Sequence, residues 1–113
     1  MRERRVRRSE DRSEALSLVL DACRERCGAR AVVLADERGL LLASAGVDAV
    51  EAEALAARVP APETRAALDV ATLFADEARL FVGVDGARAD LAPILDAVSG
   101  ARRLLATRSA IAP

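Results

Sequence analysis

The strongest constraint on the fold of this chain is a pattern that occurs twice: two short apolar runs separated by an acidic turn. Ala31-Val32-Val33-Leu34-Ala35 and Leu40-Leu41-Leu42-Ala43-Ser44-Ala45 flank Asp36-Glu37-Arg38-Gly39. Val70-Ala71-Thr72-Leu73-Phe74 and Leu80-Phe81-Val82-Gly83-Val84 flank Asp76-Glu77-Ala78. Runs of this length bounded by turn residues read as β-hairpins, with Gly39 supplying the positive φ that closes the first. The first pair is apolar at successive positions, so both of its faces are expected to be covered, one of them by a partner chain.

The segments around the hairpins are helical. From Ser9 to Cys27, Leu16, Val19, Leu20, Cys23 and Cys27 recur at three- and four-residue steps and form one apolar stripe. Gly28 follows, where a left-handed C-terminal cap is expected. Asp48, with Glu51 three residues on, predicts the N-cap of a second helix over Ala49–Val59. Its apolar face is thin (Ala52, Leu55, Ala56, Val59), so its own contacts anchor it weakly, and Pro60 and Pro62 stop it. A third helix is expected from about Asp90, with Leu91, Ile94, Leu95, Val98 and Leu105 on one face and Pro93 in its first turn. Gly100 marks a possible break in it. Residues 60–69 are the least patterned and read as loop, helical turn or edge strand.

The fold class is therefore α+β: one layer of antiparallel sheet with helices packed on it, in the order helix-hairpin-helix-hairpin-helix. With 113 residues there is room for one domain. The boundaries expected are a flexible basic arm over 1–12, the domain over 13–106 and a tail over 107–113.

Composition narrows function more than fold. The chain has no His, Lys, Asn, Gln, Tyr or Trp. Histidine general-base chemistry, lysine Schiff bases and the lysine of a P-loop are thereby excluded, along with most transition-metal ligation. Gly83-x-x-Gly86 and Ser99-Gly100-Ala101-Arg102 are too short for phosphate loops. Asp36, Glu37, Asp76 and Glu77 read as turn chemistry, and Phe74 and Phe81 as core residues in preference to base-stacking platforms. No catalytic residue, metal or cofactor is assigned, and an enzyme is not expected. Cys23 and Cys27 lie one helical turn apart, which is poor disulfide geometry and half a metal site, so both read as buried thiols of a reducing compartment. No secretory signal or apolar span is legible, and the expected location is cytoplasmic. The formal net charge is -1, yet residues 2–8 carry five arginines. Such an arm could touch phosphate or anionic lipid, although nucleic acid is not the expected partner.

Cys27-Gly28-Ala29-Arg30-Ala31-Val32-Val33-Leu34-Ala35-Asp36, followed by Gly39-Leu40-Leu41-Leu42-Ala43-Ser44-Ala45-Gly46, resembles the roadblock domain of the dynein light-chain type. The family pattern of helix, hairpin, alanine-rich helix, further strands and last helix runs from Ala15 to Leu105, with its specific part in residues 27–59. The resemblance implies that two copies, or one copy and a paralogous subunit, join into a dimer. It also implies a non-catalytic platform that scaffolds or regulates a small Ras-like GTPase, some bacterial members acting as GTPase-activating partners. The contacts expected are Leu55, Arg58 and Val59 on the second helix and Val70 and Thr72 on the neighbouring strand. The alternative reading is a small sensory or ligand-binding domain of the GAF or PAS sort, which a pocket between sheet and helix would favour.

Overall fold

The computed structural model describes residues 2–61, 63, 68–75, 78–86 and 92–111, with side chains from residue 13 to residue 105 of these. Its elements are α1 (Arg2–Cys27), β1 (Ala31–Asp36), β2 (Leu41–Ala45), α2 (Ala49–Arg58), β3 (Leu68–Ala75), β4 (Ala78–Asp85) and α3 (Ala92–Ile111). The expected α+β order is the order found. All strand pairings are antiparallel and the sheet runs β2-β1-β4-β3, so the two hairpins join along a central β1–β4 seam.

The first hairpin closes by the chemistry of its turn. Asp36 Oδ1 accepts from the backbone N–H of Arg38 at 2.8 Å and of Leu40 at 3.0 Å. Gly39, at φ 81, turns the chain back. A register shift between Leu34 and Ala35 sets Leu41 opposite Ala35. The acidic tip of the second hairpin, Asp76 and Glu77, lies outside the described residues.

Alternation along the strands divides the core in two. On one face Val32, Leu34, Leu73, Leu80, Val82 and Val84 pack against Leu16, Leu20 and Cys23 of α1 and Ile94, Ala97 and Ala101 of α3. On the other, Ala31, Val33 and Phe81 pack against Ala52, Leu55 and Val59 of α2. Both faces of β1 are thus covered within this chain, with no partner needed for it. α1 and α3 run antiparallel: Arg26 pairs with Asp96 at 2.6 Å, and Val19 lies against Gly100.

Four expectations need correction. α1 begins at Arg2, well before Ser9, and takes in the arginine-rich segment; arginine is a good helix former but leaves no apolar period to read. α3 runs unbroken through Gly100, where a Cβ would sit 3.1 Å from Val19 Cγ1, so glycine serves close helix approach there. Leu95 is exposed, because α3 buries Ile94 and Ala97 while Leu95 turns away from both. α3 begins at Ala92 and continues to Ile111; Asp90 and Leu91 lie outside the described residues, as do 62 and 64–67 of the unpatterned stretch. Among the described residues no helix is long and apolar enough to cross a membrane.

Candidate functional site

β3 is an edge strand, paired on one side only, with β4. Its residues alternate. Asp69, Ala71, Leu73 and Ala75 face α1 and α3, and Leu73 is fully buried. Leu68, Val70, Thr72 and Phe74 take the opposite face, the one α2 occupies. α2 sits mainly over β1 and β2, and reaches β4 at Phe81 and where Val59 meets Gly83. The stripe on β3 is consequently covered at one end and open at the other. Leu68 and Val70 are half-buried against the α2 cluster, Thr72 is exposed, and Phe74 is 63% exposed. The aromatic expected in the core is therefore a surface residue, while Phe81, one strand inward, is the buried one. Arg79 completes this patch: its guanidinium stacks 5.2 Å from the Phe81 ring centroid and lies 3.7 Å from Glu37.

The five expected contacts divide accordingly. Arg58, Val70 and Thr72 are accessible in whole or part. Leu55 and Val59 are not: they are 4% and 0% exposed and form the contact of α2 with its own sheet. The thin apolar stripe of α2 is occupied within the chain. What α2 shows to solvent is Ala49, Val50, Glu53, Ala54, Ala57 and Arg58, with Val50 the one large apolar side chain among them. Phe74 and Val50 escaped the sequence reading. For Phe74 the signal was present, since it continues the two-residue alternation of Val70 and Thr72.

α2 is held at both ends. Asp48 Oδ1 accepts from the Glu51 backbone N–H at 2.9 Å, the expected N-cap. Arg30 pairs with Glu51 and with Asp85, linking the start of the helix to the ends of β1 and β4. These pairs are about half exposed, so they orient more than they stabilise.

A second surface lies along the other sheet edge. Between α1 and β2 runs an open groove of about 500 Å³, lined by Glu14, Ser17, Leu18 and Asp21 of the helix and Ser44 and Ala45 of the strand. It lies beside the packed core, at the sheet edge. Asp21 is held by Arg24, both guanidinium contacts being 3.0 Å. Leu18 is 69% exposed beside it.

The two thiols are buried with their sulfurs 4.0 Å apart. Burial, and then the neighbouring Cys27, push the Cys23 thiol up to about 12. At neutral pH it is a protonated core group and no nucleophile. No cluster of three or more metal-ligating side chains occurs among the described residues.

No protein-family model matches the chain, and no curated protein matches its sequence. Solved structures do. MglB of Myxococcus xanthus is similar at 15% identity and a TM-score of 0.56, over 83% of this chain and 90% of that one. The gliding protein MglB of Thermus thermophilus is similar at 22% identity and 0.58, over 85% and 92%. An MglB with a tetrameric arrangement is similar at 21% identity and 0.58, over 85% and 91%. At these identities the likeness establishes the fold, and that fold is the roadblock type which residues 27–59 resemble.

Proposed function

We propose that this chain is a non-catalytic interaction module of the roadblock type, acting in the cytoplasm, which pairs through β3 with a second copy or a paralogous subunit. The dimer would present the exposed side of α2 to a small Ras-like GTPase. The observation that carries the reading is the half-covered stripe Val70, Thr72 and Phe74 on an edge strand beside α2. An unpaired edge with apolar side chains on one face is a template for strand addition. Two copies related by a two-fold axis would set β3 against β3 antiparallel, extending the sheet, and the partner would cover Phe74. The MglB fold, including a tetrameric arrangement in one case, is consistent with self-association. Two-fold pairing would also bring Arg58 and Val50 of both copies to one surface, wide enough for a third protein.

Light scattering over a wide concentration range tests the first step. The expected result is a particle of twice 11.9 kDa. Phe74→Asp and Thr72→Asp should reduce it to a monomer with the thermal transition retained, because both side chains are exposed. A wild-type monomer at all concentrations, with no paralogue that pairs with it, refutes the reading. So does a Phe74→Asp variant that stays fully dimeric. Binding of small GTPases loaded with GDP or a GTP analogue tests the second step, with preference for one nucleotide state expected.

A further inference from the structure

The sheet has a second free edge. β2 pairs on one side only, with β1. The run from Leu40 to Ala45 holds no charged residue and no proline, the usual devices that keep an edge strand from pairing with another chain. The register shift in its ladder sits at the Leu41 end, which leaves Ala43, Ser44 and Ala45 regularly paired. Leu18, Leu40 and Leu42, exposed large apolar side chains, lie along this edge. α1 overhangs it. A Cβ on Gly46 would stand 2.4 Å from Arg24 Cδ, which fixes the helix at the end of β2, and Asp21, Leu18 and Glu14 follow back along the groove. From Arg24 to Glu14 is about 15 Å of helix, and the five residues of β2 span about 17 Å. The overhang is thus about as long as the strand beneath it. Asp21 is held by Arg24, whereas Glu14 is exposed and has no ion-pair partner among the described residues.

We propose that the β2 edge, under the overhang of α1, is a strand-addition site for an extended segment of a partner protein that carries an apolar residue and, two residues later, an arginine or lysine. The backbone of the segment pairs with β2, and its alternate side chains meet α1. Leu18 and Glu14 are about 6 Å apart along the helix, and alternate residues of a strand are about 6.8 Å apart, so one apolar and one basic side chain meet them in turn. The order follows from the antiparallel ladder, the more stable one: such a segment enters at the Ala45 end, reaches Leu18 first and Glu14 second. Arginine suits the second position because its stem covers apolar surface while its guanidinium meets a carboxylate. A second copy of this chain is the wrong occupant. A two-fold axis along β2 would bring the two α1 helices together and set the carboxylates of Glu14 and Asp21 against those of the other copy. β2 and β3 are opposite edges of the sheet, so the site neither needs pairing through β3 nor obstructs it.

The test is a titration of the isotope-labelled full chain, followed by NMR, with the capped peptide SVTVTRTS up to about 2 mM. Three further probes are the same peptide with glutamate for arginine, the same with proline for its second valine, and the Glu14→Arg protein, whose substitution is at an exposed position and leaves the fold intact. The expected result is a shift of the backbone amides from Leu41 to Ala45, with a dissociation constant of about 1 mM or tighter. The glutamate peptide binds about fivefold or more weakly, and on Glu14→Arg the preference between the two peptides inverts. The proline peptide keeps the charge but lacks a backbone donor and fails to bind, which separates strand addition from charge attraction. No shift at Leu41–Ala45 overturns the proposal, as do shifts confined to β3, equal binding of the proline peptide, or a preference that Glu14→Arg leaves unchanged. Shifts at Leu41–Ala45 on dilution of the protein alone mark a second copy at this edge and overturn it as well. None of these outcomes bears on the mass measurement that tests pairing through β3.

Discussion

Gly83 decides how close α2 can lie to the sheet, and replacing it tests that seat. A Cβ on Gly83 would stand 2.6 Å from Val59 Cγ2 and 3.5 Å from Val33 Cγ2. Ordinary carbon contacts begin near 3.5 Å, so Gly83→Ala overlaps Val59 by about 1 Å. Val59 is fully buried at the C-cap of α2 and has one β-branched torsion with which to yield. Overpacking of this kind costs about 1–3 kcal/mol. Alanine recovers roughly 0.4–1 kcal/mol by narrowing the unfolded ensemble. The expected net loss is about 1–2 kcal/mol, or roughly 4–8 °C in Tm for a chain of this size. In a Val59→Ala background the overlap disappears, and the same glycine replacement should become neutral or slightly stabilising. The coupling energy of the cycle is then about 1–3 kcal/mol. Urea unfolding followed by circular dichroism, at one protein concentration for all four proteins, measures it. A Gly83→Ala protein as stable as its parent, or additivity within about 0.5 kcal/mol, would refute the argument that Val59 and Gly83 set the height of α2.

Leu55→Asp, which on the sequence alone should break association and spare the monomer, is expected to abolish the cooperative thermal transition, because it buries a carboxylate between α2 and β1. Asp48→Ala removes the acceptor of the Glu51 N–H and should cost about 1 kcal/mol, seen as a Tm about 4 °C lower. The folded-state value of Cys23 is raised, so its contribution to stability is complete below the ordinary thiol value of 9.0 and is lost as pH rises from there through about 12. Urea midpoints should therefore fall above pH 9 more steeply in the wild type than in Cys23→Ala. Thiol reagents at pH 8 should modify Cys23 only after unfolding.

Most of the fold could be read from local signals. The α1 stripe from Leu16 to Cys27, the Asp48 cap and both hairpins each depend on residues within a few positions of one another. What could not be read depends on which elements meet. Leu55 and Val59 form an apolar stripe whichever surface they face, and only the crossover of α2 above β1 shows that the surface is their own sheet. Phe74 has the composition of a core residue but stands on the uncovered part of an edge strand, a fact of strand order that no neighbour in sequence reports. The arginines of residues 2–8 lack the apolar period that marks a helix, so only the part of α1 that carries the Leu16–Cys27 stripe is legible. The groove beside β2 is made by two elements more than twenty residues apart, and no motif announces it.

The β2-β1-β4-β3 order has a kinetic consequence. Each hairpin pairs residues no more than 17 apart, Leu68 with Asp85 being the widest, whereas the central seam joins Val33 to Gly83 across 50. Closing that loop costs about 2 kcal/mol more chain entropy than closing either hairpin. The two hairpins are thus expected to form early and wait, and the rate-limiting event is their encounter along β1 and β4. Truncating Val32 or Val84 in the seam should slow folding, whereas truncating Val59, which docks α2 afterwards, should mainly hasten unfolding. Until the seam closes, both hairpins expose apolar edges at once, and crowding by other copies of the chain competes with folding at that step.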